Sequence, residues 1–142
     1  MPTELTVHAV HEGAMRITAT ARDHSVTMDY PAQPGSAGPT PLEMLLASLA
    51  ACSGNTLAAL MRRAEQPFAG LEVTARGLRR DEHPTGFSEI ALEFVVHGAG
   101  VDPTAVERAL AQAEATICPA WAMLKPATEI TATFRVVPSG AS

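Results

Sequence analysis

Thr40-Pro41-Leu42-Glu43-Met44-Leu45-Leu46-Ala47-Ser48-Leu49-Ala50-Ala51-Cys52 is the stretch on which the reading of the chain turns. Thr40 suits a helix N-cap, Pro41 the first helical position and Glu43 the third. That is the spacing of a capping box, with a carboxylate near the positive end of the helix dipole. The helix is expected to run to about Ala64 or Glu65, because Pro67 cannot continue it. Between Met44 and Ala51 it is apolar on nearly all sides, which predicts cover on several faces. Leu42 to Leu60 is the most apolar stretch, yet it contains Glu43, Ser48, Ser53, Asn55 and Thr56. It is too polar for a membrane span and reads as a buried helix.

Upstream of this helix, Glu4 to Val10, Met15 to Ala21 and His24 to Tyr30 each alternate apolar and polar residues. Three short alternating runs predict an antiparallel meander, with a turn at His11 to Ala14. Pro31 to Pro39 is a loop by its Pro and Gly content. Downstream, Leu71 to Leu78 and Phe87 to His97 read as strands around the polar turn Arg79 to Gly86. Ile90, Leu92, Phe94 and Val96 share one face of the second. Asp102-Pro103 opens a helix to about Thr116, and Cys118-Pro119 a shorter one stopped by Pro126. Glu129 to Val137 is the last strand. Three strands, a helix, two strands, two helices and a strand make an α+β protein.

At 142 residues the chain fits a single domain, residues 1–142, large enough to bury a core. With 46% hydrophobic and 18% charged residues it is not disordered. A net charge of −5, with ten Lys+Arg against fifteen Asp+Glu, gives no basic stripe for nucleic acid. Met1 to Leu5 lacks the opening of a signal peptide, so a cytoplasmic location is expected. His8, His11, His24, His83 and His97 show no ligand spacing, and no metal is expected. Neither a P-loop nor a GxGxxG run occurs.

The two cysteines are too few for a disulfide scaffold or for a zinc site of their own. Either they do redox chemistry or they are inert core thiols. Cys118 precedes a proline at a helix start, where exposed N–H groups favour a thiolate. By position it is either the more reactive thiol or a small terminal residue without chemistry. Cys52 is mid-helix, where an inert core thiol is the plain alternative. Nothing in the spacing predicts that the two meet.

Gly38-Pro-Thr-Pro-Leu-Glu-Met-Leu-Leu-Ala-Ser-Leu-Ala-Ala-Cys52 resembles the GPxPxExLLxxLxxC signature of the OsmC/Ohr family of thiol peroxidases, closest to its general OsmC-like branch. His24-Ser-Val-Thr-Met-Asp29 and Cys118-Pro119 match at the expected places, and the order of elements matches along essentially the full chain. The resemblance implies an intertwined homodimer with its central helices packed between sheets and an active site at the interface. It implies a cofactor-free peroxidase acting on organic hydroperoxides. Cys52 would become a sulfenic acid, Cys118 would condense with it to a disulfide, and an external dithiol would reduce that. It also implies an arginine beside Cys52, held by a glutamate. Thr18-Ala-Thr-Ala-Arg-Asp23 resembles the family's TATxxRD stretch, which makes Arg22 the first candidate and Arg16 the second. Each is equally readable as a solvated strand-end charge.

Two departures stand out. The family's glutamate falls ten residues before the first cysteine, and Leu42 occupies that place here. Glu43, nine residues before, lies about 180° around a helix from Cys52, and the capping box already explains it; with an irregular first turn it could both cap the helix and hold the arginine, so it stays a catalytic candidate. After Cys118, Trp121 and Met123 make an apolar wall where polar residues are usual. Two further readings follow: a catalytically weak dimer that binds a small apolar ligand, and a redox sensor using the same cysteines.

Overall fold

The computed structural model describes residues 3–138 and divides into two compact units, Met1–Leu45 and Leu46–Ser142. The first unit carries the antiparallel meander: β1 (His8–Gly13), β2 (Arg16–Ala21) and β3 (His24–Met28) pair in that order. Hydroxyls tie the strands across one face. Thr18 Oγ1 lies 2.9 Å from Thr27 Oγ1, and Thr20 Oγ1 lies 3.0 Å from Ser25 Oγ. The first strand starts later than its alternation suggests, at His8 instead of Glu4, and continues through His11 and Glu12. Pairing decides this. The outermost pair is His8 with Thr20, and the ladder goes no further toward Glu4, while an irregularity between His11 and Gly13 carries the strand into the turn.

Asp29 stands where the third alternating run was expected to continue. Its carboxylate instead accepts the N–H of Tyr30 at 2.9 Å and of Ala37 at 3.0 Å, folding the Pro-rich loop back on β3. Those bonds, the Ala37 N–H first, with Arg16 at 4.0 Å, hold the Asp29 carboxyl below its ordinary value despite partial desolvation. Gly38 closes the loop so tightly that a Cβ there would stand 1.9 Å from the Thr27 carbonyl oxygen.

Helix α1 (Pro41–Arg63) begins with the capping box the sequence announces. The Thr40 N–H donates to Glu43 Oε1 at 2.8 Å, and the Glu43 N–H donates to Thr40 Oγ1 at 3.1 Å. It ends two residues short of Glu65. That residue turns left-handed, with φ +56°, and the N–H groups of Glu65 and Gln66 cap the carbonyls of Arg62 and Met61 at 3.0 Å. By length and apolar composition alone α1 is long enough to cross a membrane. Within this single chain α1 buries one stripe: Leu49, Ser53, Gly54, Leu57, Leu60 and Met61. Leu45 stays 38% exposed, and Ala47, Ala51 and Ala59 lie open.

The second unit is a sheet with its own helices. β4 (Gly70–Arg79) pairs antiparallel with β5 (Phe87–His97), and β5 pairs parallel with β6 (Glu129–Val137). A parallel neighbour requires a crossover, supplied by α2 (Pro103–Gln112), a π-turn (Ala113–Ile117) and α3 (Pro119–Leu124). Ile90, Leu92, Phe94 and Val96 are all buried, as the alternation of β5 requires, together with Val106 and Trp121. The helix expected to reach Thr116 is α-helical only to Gln112, then opens into the π-turn. His97 Nε2 lies 2.6 Å from Glu72 Oε2, and His24 Nε2 lies 3.3 Å from Asp23 Oδ1.

Three substitutions test these assignments by urea denaturation. Gly38→Ala should cost about 1–3 kcal/mol, because its Cβ meets backbone that has no room to give. Glu65→Gly should gain about 0.5–1 kcal/mol by relieving the left-handed residue. Because the Asp29 pKa is lowered on folding, its contribution is present above the ordinary value of 3.8 and lost as pH falls through the lowered one. Asp29→Asn should therefore flatten the acid limb of the stability profile.

Candidate active site

Cys52 lies on α1 and Cys118 at the break between the π-turn and α3, 66 residues later, yet their sulfurs are 3.2 Å apart. Both belong to the second unit. Cys118 caps α3 in extended backbone (φ −77°, ψ 109°), as a residue before proline should. Its N–H closes the π-turn on the Ala113 carbonyl at 2.9 Å. On α1, the Thr56 hydroxyl bonds the Cys52 carbonyl at 2.9 Å and the Ser53 hydroxyl bonds that of Leu49 at 2.8 Å.

The two thiols sit in different surroundings. Cys118 is 1% exposed, whereas Cys52 is partly exposed. Burial pushes the Cys118 thiol up. The Trp121 and Ala120 N–H groups oppose that shift, and the nearby Cys52 sulfur adds to it. The helix-start argument for a reactive Cys118 thus identified real donors but missed the burial that outweighs them. The Cys118 thiol donates toward Cys52 in this arrangement.

The other sequence candidates lie in the first unit. Glu43 is engaged in the capping box. Arg22 occupies the two-residue turn between β2 and β3, exposed, with φ +58°. Arg16 is half exposed, 4.0 Å from Asp29 Oδ2. The apolar wall expected from Trp121 and Met123 divides. Trp121 is buried in the core of the second unit, its indole N–H without a hydrogen-bond partner among the described residues, and Met123 is 74% exposed. Sequence reasoning did not anticipate the π-turn, and it anticipated the contact of the thiols only through the family resemblance, not through their spacing. The Cys-Pro pair was the one local signal for the break.

A dithiol at this separation with one thiol near the surface suits two-electron oxidation to a disulfide. Residues 33–133 match the family model of OsmC-like proteins. The chain belongs to the OsmC-like family. It is 31% identical over 126 residues to protein YhfA of Escherichia coli, covering 89% of this chain and 92% of that protein. The fold of the OsmC-like protein from Mycoplasma pneumoniae superposes with a TM-score of 0.86 at 22% identity, covering 96% of this chain and 99% of that one. The organic hydroperoxide resistance protein OhrB of Bacillus subtilis superposes at 0.68 with 18% identity, covering 94% and 98%. This OsmC-like chain therefore has the family's α+β fold and its order of elements.

Bringing the sulfurs from 3.2 Å to a disulfide bond of about 2.05 Å requires only a small shift. One equivalent of an alkyl hydroperoxide should consume both thiols and give an intramolecular disulfide by mass spectrometry. The single tryptophan, three residues after Cys118, should report the same step as a fluorescence change. A change in fluorescence that persists in Cys52→Ser would show that the disulfide is not its source.

Proposed function

We propose that this OsmC-like protein is a cofactor-free thiol peroxidase that reduces organic hydroperoxides in the cytoplasm. The observation that supports it most is the approach of Cys118 to Cys52 across 66 residues of sequence. Cys52, the more accessible sulfur, attacks the peroxide as a thiolate and becomes a sulfenic acid. Cys118 condenses with it, and an external dithiol reduces the disulfide. A homodimer fits the helix α1, whose Leu45, Ala47, Ala51 and Ala59 are apolar and uncovered in the single chain. Arg22, with Arg16 as second candidate, stabilises the Cys52 thiolate and the charge on the departing oxygen.

A second reading has its own support. Glu43, the carboxylate nearest in sequence to the family's arginine-holding position, is committed to capping α1. Arg16 lies against Asp29. Without a fixed guanidinium the dimer would be a weak catalyst that binds a small apolar ligand or signals redox state through the same disulfide.

Stopped-flow oxidation by cumene hydroperoxide separates the readings. Arg22→Met should lower the rate constant by at least about 30-fold, the effect of removing one charge-stabilising contact worth roughly 2–4 kcal/mol. Arg16→Met should be nearly neutral in rate, and Glu43→Gln should affect stability more than rate. Loss of activity in Arg16→Met alone would transfer the role to Arg16. A wild-type rate no faster than a free thiol would decide for the binding reading. Light scattering should give twice the chain mass, and a monomer at micromolar concentration would remove the interface site.

A further inference from the structure

The geometry of the thiols carries a step that resolution of a sulfenic acid does not need. Cys118 is directed at Cys52 while both are still reduced, and it is placed there as a donor, at 3.2 Å. Cys118 heads α3, is 1% exposed and makes no side-chain capping bond to that helix. Among the described residues, the hydrogen-bond partner of its sulfur is the Cys52 sulfur. We propose that Cys118 takes part in the peroxide step itself: its S–H holds Cys52 as the thiolate, and its proton passes to the oxygen that leaves the hydroperoxide. This rests on the peroxidase reading above and adds a proton donor to it.

The step balances. The Cys52 thiolate attacks the terminal oxygen of ROOH, the O–O bond breaks, and the alkoxide RO⁻ takes the Cys118 proton and leaves as ROH. The sulfur is oxidised to Cys52–SOH and the peroxide is reduced. Loss of that proton leaves Cys118 as a thiolate within reach of the new sulfenic acid. It attacks the Cys52 sulfur, the S–O bond breaks, hydroxide leaves, and the disulfide forms. One proton transfer thus serves both halves: it neutralises the leaving group, then arms the resolving thiol at the moment its target exists. Burial suits the first half, because a thiol kept protonated at neutral pH still has a proton to give. Among the described residues, the groups that shift the Cys118 thiol are Cys52 and the two backbone amides, with no charged side chain among them.

The test compares Cys118→Ala, which removes the donor, with Cys118→Ser, which cannot form the disulfide but still offers a hydroxyl proton. Both variants should show the wild-type far-UV circular dichroism spectrum. Thiolate absorbance at 240 nm gives the Cys52 pKa, and single-turnover trapping with dimedone gives the rate of sulfenic acid formation from cumene hydroperoxide. The Cys52 pKa should be about one unit higher in Cys118→Ala than in Cys118→Ser, the size of a hydrogen bond to a charged sulfur. Sulfenic acid should form at least about 10-fold more slowly in Cys118→Ala, with most of the rate restored in Cys118→Ser. A purely structural or purely resolving role gives equal values in the two variants, and that result overturns the proposal while leaving the peroxidase reading intact. A wild-type rate no faster than a free thiol, with the pKa difference present, overturns the peroxidase reading and the proton transfer with it, and leaves the hydrogen bond standing.

Discussion

Pro119 is the constraint from which the dithiol follows. A proline has no N–H to give and forces the residue before it out of the helical region. Cys118 accordingly adopts φ −77° and ψ 109°, and no α-helix can run through it. The chain between α2 and α3 holds one residue more than an α-turn accommodates, and the surplus appears as the π-turn closed by the Cys118 N–H on Ala113. At that break the backbone amides of Ala120 and Trp121 are unused by α3, and they oppose the upward shift that burial imposes on the Cys118 thiol. A continuous helix here would bury its N–H groups in its own ladder and carry the thiol around its surface.

Much of the fold was legible because its elements carry their own code. β5 and β6 lie where the alternation of Phe87 to His97 and Glu129 to Val137 places them. The start of α1 follows from Thr40 and Glu43, whose reciprocal bonds involve only neighbours in sequence. The misreadings are of another kind. Where β1 begins depends on where its ladder with β2 stops, at His8 and Thr20, which the alternation of Glu4 to Val10 does not contain. Asp29 fits the strand pattern of its neighbours but serves as the anchor of a loop, accepting the N–H of Ala37 eight residues later. Ala113 to Ile117 has the composition of a good α-helix, and only the proline beyond it signals the wider turn.

The site was legible in composition and hidden in geometry. Two cysteines, one before a proline, marked the candidate site. Their meeting depends on the packing of α1 against the crossover, and no spacing rule reaches across 66 residues. Local reasoning also ranked the thiols by helix position and could not weigh burial, which the tertiary fold decides. α1 shows the same limit from the other side. Its sequence is apolar nearly all round, but the single chain covers one stripe, so part of what the sequence encodes lies outside this chain's own core.

The unequal burial of the thiols has a consequence for charge. Two thiolates separated by 3.2 Å would repel by about 5 kcal/mol even at an effective dielectric constant near 20. The pair therefore carries at most one negative charge. Which sulfur carries the charge is a competition between hydration and hydrogen bonding. The amides of Ala120 and Trp121 favour a Cys118 thiolate, but Cys118 has almost no water, and its thiol is pushed up all the same. Cys52 keeps some water and gains the Cys118 S–H as a donor. Both differences act in one direction, toward a charged Cys52 and a protonated Cys118. Exchanging the burial of the two sulfurs while keeping their distance would place the charge where no peroxide could reach it.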